Sequence, residues 1–482
     1  MNMKNKRFFA GIDVGTSSMK AVLISVSGSE CAVCWSASKP YNELSEPERN
    51  PACWEAVAHD LLQQLLAIQC PEAIGFTGQM HTFLAVDDSG NSVAPVKLWL
   101  DMDGSDALAS VNYSREQWLD MTGNIPLPDF TLAKWLWAVS QDSTLPDKIA
   151  RIYCAKDAVR KALAPESLFV TDANEATGMQ CFDPITRHWQ EDILSTTRLT
   201  KRALPKVVDG REEAGKISLK NSSGENNTLV PLIVGAGDQA TAARAVGGHL
   251  EGTVSVSLGT SGVLSFNMRK EHFPEQWTGD FHWFPFGFGD TEQIIGTIPS
   301  LGSTLEWFMG LYQLSRQEFG VLSSQALSTT SQVYFLPFLS GSGAPQPNHN
   351  VRSSWHNVSL NTERVDLVRA ILNGIALEFS EILNRAKDIG IRVEKLVFSG
   401  GGARVEPLLA VISSTLGVPC YKTNETEASA IGAALLAADS QMPAHDIVVS
   451  TSSLELVDTC PLSSGYREQW RSYRNQAIEA QK

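Results

Sequence analysis

Apolar and polar residues alternate in blocks that predict strands and helices in repeated succession. Apolar runs that lead into glycine turns predict strands, and these runs lie within residues 8–15, 72–78, 227–248 and 395–417. Apolar residues at helical spacing predict helices, and these segments cover residues 51–68, 365–390 and 427–438. Because strands alternate with helices along the chain, the pattern predicts an α/β fold.

Two further segments have the pattern of β-hairpins. Residues 19–37 form an apolar β-like run that is interrupted at Ser27-Gly28-Ser29, which predicts a turn between two strands. Residues 282–290 read HWFPFGFGD, in which aromatic residues alternate with turn-forming ones. We interpret this second segment mainly as hairpin packing, with a wall of a ligand cleft as the alternative.

One short pattern occurs twice. Residues 14–22 read VGTSSMKAV and residues 258–266 read LGTSGVLSF, so both place Gly-Thr-Ser between apolar runs. The two copies are separated by about half of the chain. This spacing and the shared hairpin context suggest two structurally related halves.

Composition limits the classes of protein that need to be considered. At 482 residues the chain is longer than one hydrophobic core usually grows, so two domains are expected. The formal net charge of −14 disfavours nucleic acid and anionic membranes as partners. It does not exclude an anionic cofactor, because phosphate is bound by local loops rather than by total charge.

Apolar runs and cysteines favour a cytoplasmic protein. No run reaches the roughly 18 apolar residues of a membrane helix, and Asp13 interrupts the first apolar stretch, which disfavours a signal peptide. The eight cysteines are scattered, as expected for reduced thiols. Cys31 and Cys34 form one C-x-x-C, but they should point to opposite faces of a strand, so redox or zinc chemistry is disfavoured.

The predicted turns carry the candidate chemistry. Asp13 lies in an apolar strand before a Gly-Thr-Ser turn, where it is either a satisfied structural group or is directed at a cation and a polyphosphate. Asp238 begins a predicted helix, where it is either a helix cap or a general base. Three glycines at 400–402 allow the backbone to approach a nucleotide closely. The common P-loop and dinucleotide glycine patterns are absent.

Polar residues after two other apolar segments suit binding of a polyol. Gln79 and His81 follow the predicted strand at 72–78, and Trp99 and Asp101 lie in KLWLDMDGSD. Hydroxyl groups of a ligand can be bound by such side chains. Taken singly, each of these residues is an ordinary turn or surface residue.

Taken together, the motifs resemble the FGGY carbohydrate kinases, and most closely the xylulokinase group. The resemblance covers roughly residues 8 to 440. The matching segments are GIDVGTSSMK, GQMH, LWLD, GNIPLPDFTLAKWLW, GAGDQATAA, SLGTSGV, LPFLSG and SGGGAR. The resemblance implies two actin-like domains of the ribonuclease H type that flank a central cleft. It places an N-terminal domain at residues 1–246, on the sugar and phosphate side, and a C-terminal domain at residues 247–482, on the nucleotide side.

The same resemblance implies a role for individual residues. Asp238 corresponds to the general base and Asp13 to the carboxylate linked to Mg²⁺. The implied sugar contacts are Gln79, Met80, His81, Trp99, Asp101 and Asp238. The implied ATP and phosphate contacts are Gly15, Thr16, Ser17, Lys20, Gly259, Thr260, Ser261, Gly400, Gly401, Gly402 and Ala403.

The implied reaction is phosphorylation of a ketose or polyol by Mg-ATP, with D-xylulose to xylulose 5-phosphate as the first expectation. Members of the family often form dimers, so a homodimer is compatible with the resemblance. Some positions depart from the xylulokinase pattern. An Asn and an Arg usual around LWLD are Leu100 and Asp103, a Glu-Arg pair is Ser342-Gly343, and a helical Glu is Asn373. These departures weaken the case for D-xylulose itself and leave another sugar open.

Two interpretations from other classes remain. One is a catalytically silent sensor of sugar or nucleotide on the same fold, which the departures at Asp103 and Ser342-Gly343 motivate. The other is an actin-like or chaperone ATPase, which would not explain the polar residues at 79–81 or Asp101. Retention of Asp13, Asp238 and both Gly-Thr-Ser turns favours the kinase.

Overall fold

The computed structural model describes residues 6–41, 49–220, 227–274, 276–423, 427–442, 447–449, 454–458, 460, 462 and 464–481. These residues form two compact units, each built from three segments of the chain. The first unit draws on Met1–His249, His282–Gln293 and Glu427–Thr451, and the second on Leu250–Phe281, Ile294–Thr426 and Ser452–Lys482. Within the described residues, no helix is both long and apolar enough to cross a membrane.

Strands and helices alternate along much of the chain. The strands are β1 (Arg7–Val14), β2 (Ser18–Ser27), β3 (Glu30–Pro40), β4 (Ile74–Gly78), β5 (Leu84–Val86), β6 (Arg151–Tyr153), β7 (Val170–Asp172), β8 (Phe182–Asp183), β9 (His188–Trp189), β10 (Lys206–Val208), β11 (Glu213–Lys220), β12 (Asn227–Ile233), β13 (Gly252–Leu258), β14 (Gly262–Arg269), β15 (His282–Pro285), β16 (Thr291–Ile298), β17 (Tyr334–Leu336), β18 (Ser354–His356), β19 (Val393–Ser399), β20 (Cys420–Thr423), β21 (Val448–Val449) and β22 (Leu454–Leu456).

The α-helices are α1 (Pro51–Ile68), α2 (Ser105–Ala109), α3 (Arg115–Thr122), α4 (Thr131–Gln141), α5 (Leu145–Lys148), α6 (Ala155–Leu163), α7 (Ala173–Gly178), α8 (Glu191–Thr197), α9 (Asp238–Ala245), α10 (Gly302–Tyr312), α11 (Arg316–Ala326), α12 (Arg364–Asp388), α13 (Glu406–Leu416), α14 (Ala428–Gln441) and α15 (Ser464–Glu479). Short 3₁₀ turns cover Lys201–Ala203, Lys270–His272 and Gly401–Arg404.

The sheet of the first unit has the strand order β11-β12-β4-β1-β2-β3-β21. Strands β1, β4 and β12 run parallel, whereas β1 and β2 form an antiparallel hairpin. The Gly15-Thr16-Ser17 turn lies at the tip of this hairpin. Because the three parallel strands end on the same edge, the residues that follow them are brought together.

The second large sheet has the order β15-β16-β14-β13-β19-β20-β22. Strands β13, β19 and β20 run parallel, and β13 and β14 form an antiparallel hairpin. The second Gly-Thr-Ser turn lies at the tip of that hairpin. Both central sheets therefore contain a hairpin followed by two parallel strands, as the repeated pattern predicts.

The predicted elements are confirmed where the periodicity was strongest. Helix α1 has the predicted bounds, and it begins where the Asn50 side chain accepts a hydrogen bond of 3.0 Å from the Ala52 N–H. The apolar run at 19–37 is divided between β2 and β3 by a turn in which Gly28 has a φ of +62°. Cys31 is buried and Cys34 is exposed, so the two thiols do point to opposite faces.

Helix α14 packs on the first sheet at very short range. A Cβ atom on Gly11 would lie 1.9 Å from the Ala430 carbonyl oxygen, and one on Gly75 would lie 2.0 Å from that of Ala433. Only glycine permits this approach of β1 and β4 to the helix. The small residues of the predicted helix at 427–438 are therefore required by packing, and they bring Glu427 close to the β1–β2 hairpin.

Candidate active site

Three predicted groups of the first unit lie at one edge of its sheet. Asp13 is near the end of β1, Gln79-Met80-His81 follow β4, and Asp238 follows β12. The Gln79 N–H donates to the Val14 carbonyl oxygen over 3.0 Å, which joins the first two groups directly. Ligands of parallel α/β sheets commonly bind at this edge.

Asp13 is a buried carboxylate beside a cation. Its side chain is 8% exposed, and its strand neighbours in register are Lys20 and Thr77. Burial raises the pKa of Asp13 to about 6, although the charge of Lys20 opposes the shift. Lys20 Nζ is itself 2.8 Å from Glu427 Oε2. No described residue is seen to donate a hydrogen bond to the Asp13 side chain, so its oxygens suit a bound cation.

Asp238 is the first residue of α9, and the cap position before it is occupied by Gly237. Burial, followed by the charge of Asp13, raises the pKa of Asp238 to about 7. Hydrogen bonds from Gln239 partly oppose this shift. A carboxylate with a pKa near neutrality is suited to accept a proton from a hydroxyl group.

A buried ionic cluster holds the loop that carries Asp238. Lys156 Nζ lies 2.8 Å from Asp157 Oδ1 and 3.0 Å from Asp172 Oδ2, and Arg160 Nη1 lies 2.8 Å from the same Asp157 oxygen. Arg160 Nη1 also donates to the Val234 carbonyl oxygen over 3.0 Å. The members of this cluster are almost fully buried. Through the hydrogen bond to Val234, the cluster fixes the start of the loop between β12 and α9.

The first Gly-Thr-Ser turn is braced by aromatic side chains. Tyr41 Oη donates to the Gly15 carbonyl oxygen over 3.2 Å, and the Tyr41 N–H donates to that of Ser17 over 3.2 Å. Trp99 Nε1 donates to Thr16 Oγ1 over 2.9 Å. The structure therefore brings Trp99, predicted from the LWLD motif, to the phosphate turn predicted from a different motif.

The turn after β4 faces the loop of Asp238. A Cβ atom on Gly237 would lie 2.8 Å from Met80 Sδ, so Met80 packs directly on that glycine. Gln79 is 2% exposed and its Oε1 accepts no hydrogen bond within the described residues. His81 stacks on Phe130, with ring centroids 4.4 Å apart.

The Asp101 carboxylate accepts two hydrogen bonds from an arginine that is distant along the chain. Arg49 Nη2 donates to Asp101 Oδ1 over 3.0 Å, and Arg49 Nη1 donates to Asp101 Oδ2. The Leu98 N–H donates to Asp101 Oδ2 over 2.7 Å. Burial alone would raise the pKa of Asp101, but these hydrogen bonds lower it below its usual value.

The second unit brings its own two predicted turns together. The Gly259 N–H donates to the Ser261 carbonyl oxygen over 2.9 Å, and the Ser303 N–H donates to that of Thr260 over 3.1 Å. A Cβ atom on Gly400, whose φ is +86°, would lie 2.7 Å from the Leu258 carbonyl oxygen. A Cβ atom on Gly402 would lie 2.7 Å from Leu258 Cβ, whereas Gly401 faces open space and Ala403 is buried. The glycine turn therefore lies against the end of β13, directly before Gly259.

Models of one protein family match both parts of the chain. Residues 8–245 match the N-terminal domain of the FGGY family of carbohydrate kinases, and residues 254–440 match its C-terminal domain. The chain belongs to the FGGY family of carbohydrate kinases. Its two units accordingly represent the two-domain actin-like ATPase fold of FGGY sugar kinases.

Individual relatives of this FGGY kinase include sugar and polyol kinases. It is 26% identical to the xylulose kinase of Escherichia coli over 95% of this chain and 94% of that protein. It is 24% identical to the glycerol kinase of Aquifex aeolicus over 97% of both chains. The crystal structure of a xylulose kinase from Brucella ovis is 25% identical and superimposes with a TM-score of 0.85 over 98% of both chains.

Three neighbours of the FGGY kinase site were not assigned from the sequence. Phe130 and Lys134 lie within the GNIPLPDFTLAKWLW motif, so the signal was present but gave no reason to single them out. Arg49 lies far from LWLD along the chain and has no distinctive local pattern. Its pairing with Asp101 depends on tertiary structure alone.

Proposed function

We propose that this FGGY kinase transfers the γ-phosphoryl group of ATP to a hydroxyl of a ketose or polyol, and that D-xylulose is converted to xylulose 5-phosphate. The observation that carries the proposal is Asp238, a carboxylate with a pKa near 7 beside Asp13 and the 79–81 turn. The xylulose kinase relatives support this sugar as the first candidate. In this proposal residues 1–246 serve the sugar and phosphates, and residues 247–482 serve the nucleotide.

In this proposal Asp238 is the general base. Its carboxylate orients the sugar hydroxyl and accepts the proton as the oxygen attacks phosphorus, a contribution of about 10²–10⁴-fold to rate. Gln79, Met80, His81, Trp99 and Asp101 position the sugar. Phosphoryl transfer depends mainly on such positioning and on electrostatics.

Asp13 fits the role of the Mg²⁺ carboxylate. It is buried, and no described residue donates a hydrogen bond to its side chain. Mg²⁺ commonly binds through one or two carboxylates together with water and phosphate oxygens, and it offsets phosphate charge. Asp13 would hold the ion directly or through water.

The two Gly-Thr-Ser turns supply donors for phosphate oxygens. Gly15, Thr16 and Ser17 form one tip, with Lys20 behind it as a further phosphate contact, and Gly259, Thr260 and Ser261 form the other. Preorganised N–H and hydroxyl groups stabilise charge that develops during transfer. Gly400 to Gly402 with Ala403 form the adenosine-side turn. Asp103, which is paired with Lys97 over 2.7 Å, has no part in this set.

A coupled assay of ADP release tests the proposal. Purified protein is supplied with Mg-ATP and a panel of pentuloses, hexuloses, heptuloses and polyols, and the phosphorylated product is identified by mass spectrometry. We expect ADP release that depends on sugar and is fastest with D-xylulose. Well-folded protein that releases no ADP with any member of the panel would contradict the proposal.

Another ketose or polyol is the second candidate substrate, because some residues of the xylulokinase pattern are replaced in this chain. Leu100 and Asp103 flank Asp101, and Ser342 and Gly343 replace a Glu-Arg pair. The same panel identifies such a substrate. Binding of sugar and ATP in calorimetry without any product would instead favour the silent sensor.

We also propose that the enzyme works in the cytoplasm, a location that the eight free cysteines support. We propose a homodimer as well, and the molar mass from light scattering of the purified protein tests this oligomeric state.

A further inference from the structure

His81 has an unusual backbone conformation at the candidate sugar site. Its φ is +64°, in the left-handed region that residues other than glycine seldom adopt. Such a conformation is energetically unfavourable and persists where the surrounding structure enforces it. The residues that contact the imidazole ring are therefore expected to constrain it.

The ring is fixed on one edge and one face. His81 Nδ1 is 3.0 Å from the Gly178 carbonyl oxygen. The ring stacks on Phe130 at a centroid distance of 4.4 Å and an interplanar angle of 13°. A Cβ atom on Gly178 would lie 2.8 Å from Nδ1 and 3.0 Å from Cε1 of His81. The missing side chain of Gly178 therefore makes room for the ring.

The charged and titratable groups around the ring keep it neutral. Burial, followed by the charge of Lys134, lowers the pKa of His81 to about 3. Lys134 is 2% exposed and donates to the Asp129 carbonyl oxygen. His282 also faces this group, and burial lowers its pKa although the charge of Asp129 opposes the shift.

The position of the ring proton follows from these contacts. A carbonyl oxygen only accepts hydrogen bonds, so the nitrogen that contacts the Gly178 oxygen carries the proton. A neutral imidazole has one protonated nitrogen, which leaves Nε2 with a free lone pair.

We propose that Gly178 and Phe130 are positioning residues that hold His81 with Nε2 as a hydrogen-bond acceptor toward the sugar. The site then selects a neutral ketose or polyol that donates a hydroxyl hydrogen to this nitrogen. This inference rests on the proposed function, because it assigns Nε2 to the sugar of that reaction.

A spectroscopic experiment tests the ring without any turnover. Ligand-free protein labelled with ¹⁵N-histidine is studied by long-range ¹H–¹⁵N correlation, and the His81 signals are assigned by their loss in His81→Gln. We expect a protonated Nδ1, an unprotonated Nε2 and no titration between about pH 5.5 and about pH 8. A proton on Nε2, or a midpoint near the usual 6.5 of histidine, would overturn the inference and leave the proposed function standing.

Steady-state kinetics of Gly178→Ala test whether the space left by Gly178 positions the His81 ring. The new methyl group should displace His81 and raise KM for the sugar by about tenfold, the effect of losing one hydrogen bond. The KM for ATP should stay within about twofold. The assay uses D-xylulose, or the fastest member of the panel if D-xylulose is not turned over.

Gly320→Ala is the matched control, because Gly320 is also helical and a Cβ atom there meets nothing within 4 Å. Melting curves show whether both variants fold. An unchanged KM for the sugar in folded Gly178→Ala would contradict the proposal. If Gly178→Ala does not fold, Phe130→Leu takes its place with the same expected result and the same contradiction.

Discussion

Asp238 is held with a pKa of about 7 by its own burial and by the charge of Asp13, which lies in the strand on the other side of β4. Asp13 lies in β1, and Asp238 begins the helix that follows β12. These two strands lie on either side of β4, which leads into the 79–81 turn. The proposed base and the proposed cation-binding carboxylate are thus separate residues at one edge of the sheet, and three predictions follow for Asp238.

Asp238→Asn should retain the fold and lose turnover. We expect kcat to fall by about 10²–10⁴-fold, because the amide cannot accept the hydroxyl proton. Initial rates under saturating sugar and ATP provide the measurement. Asp192→Asn, an exposed acidic residue in the first turn of α8, is the control and should keep full activity. Near-normal turnover of Asp238→Asn would remove Asp238 from the mechanism.

The pH dependence of the wild type should report the same carboxylate. Asp238 must be deprotonated to act, so kcat/KM should rise about tenfold per pH unit below about 7 and level off above it. Measurement in buffers of constant ionic strength gives the profile. A profile that is flat from about pH 5 to about pH 8 would be incompatible with this base.

Stability should change in the opposite sense to activity. The pKa of Asp238 is raised in the folded state, from 3.8 to about 7, so the folded protein holds this proton more tightly than the unfolded chain. The resulting stabilisation is complete below about pH 3.8 and is lost as pH rises through about 7. At about pH 8, thermal unfolding should therefore show Asp238→Asn to be at least as stable as the wild type. A lower melting temperature of the variant at that pH would contradict the sign.

The hydrogen bond between Trp99 and Thr16 should affect substrate binding more than folding. Trp99→Phe keeps the ring but removes the N–H donor, so KM for ATP should rise about three- to tenfold. Because Trp99 is 41% exposed, the free energy of unfolding should change by less than about 0.5 kcal/mol. Thr16→Val should raise this KM at least as much, because it also removes a hydroxyl proposed to bind phosphate, and adding Trp99→Phe to Thr16→Val should cause no further loss. Additive losses would show that the bond is not used.

Lys156 should be critical for stability. Lys156→Met leaves the buried carboxylates of Asp157 and Asp172 without their shared cation, which should cost about 3–5 kcal/mol in urea unfolding. Adding Asp172→Asn should recover part of this loss. Lys148→Met, which breaks an exposed pair with Asp142, should cost no more than about 1 kcal/mol. Equal effects of the two single variants would refute the importance of the buried cluster.

Local pattern was sufficient for the main elements of the fold. Helix α1 and the two Gly-Thr-Ser hairpins follow from apolar spacing and turn residues, which act over a few positions. The proposed roles of Asp13 and Asp238 came from their motifs, whereas the shifts in their pKa values depend on burial and, for Asp238, on the charge of Asp13. Phe130 was overlooked because a local pattern does not show which distant ring it will contact. Lys134 was overlooked because its burial depends on tertiary packing.

The sequence by itself determined the repeated strand, glycine turn and helix units, the family and the identity of the candidate acidic and glycine residues, since these depend on local chemistry. Only the tertiary structure shows that Arg49 donates two hydrogen bonds to Asp101, that Trp99 donates one to Thr16, and that His81 Nδ1 contacts the Gly178 carbonyl oxygen. These pairs join residues separated by roughly 50 to 100 positions, so their geometry is set by the order and packing of strands and helices.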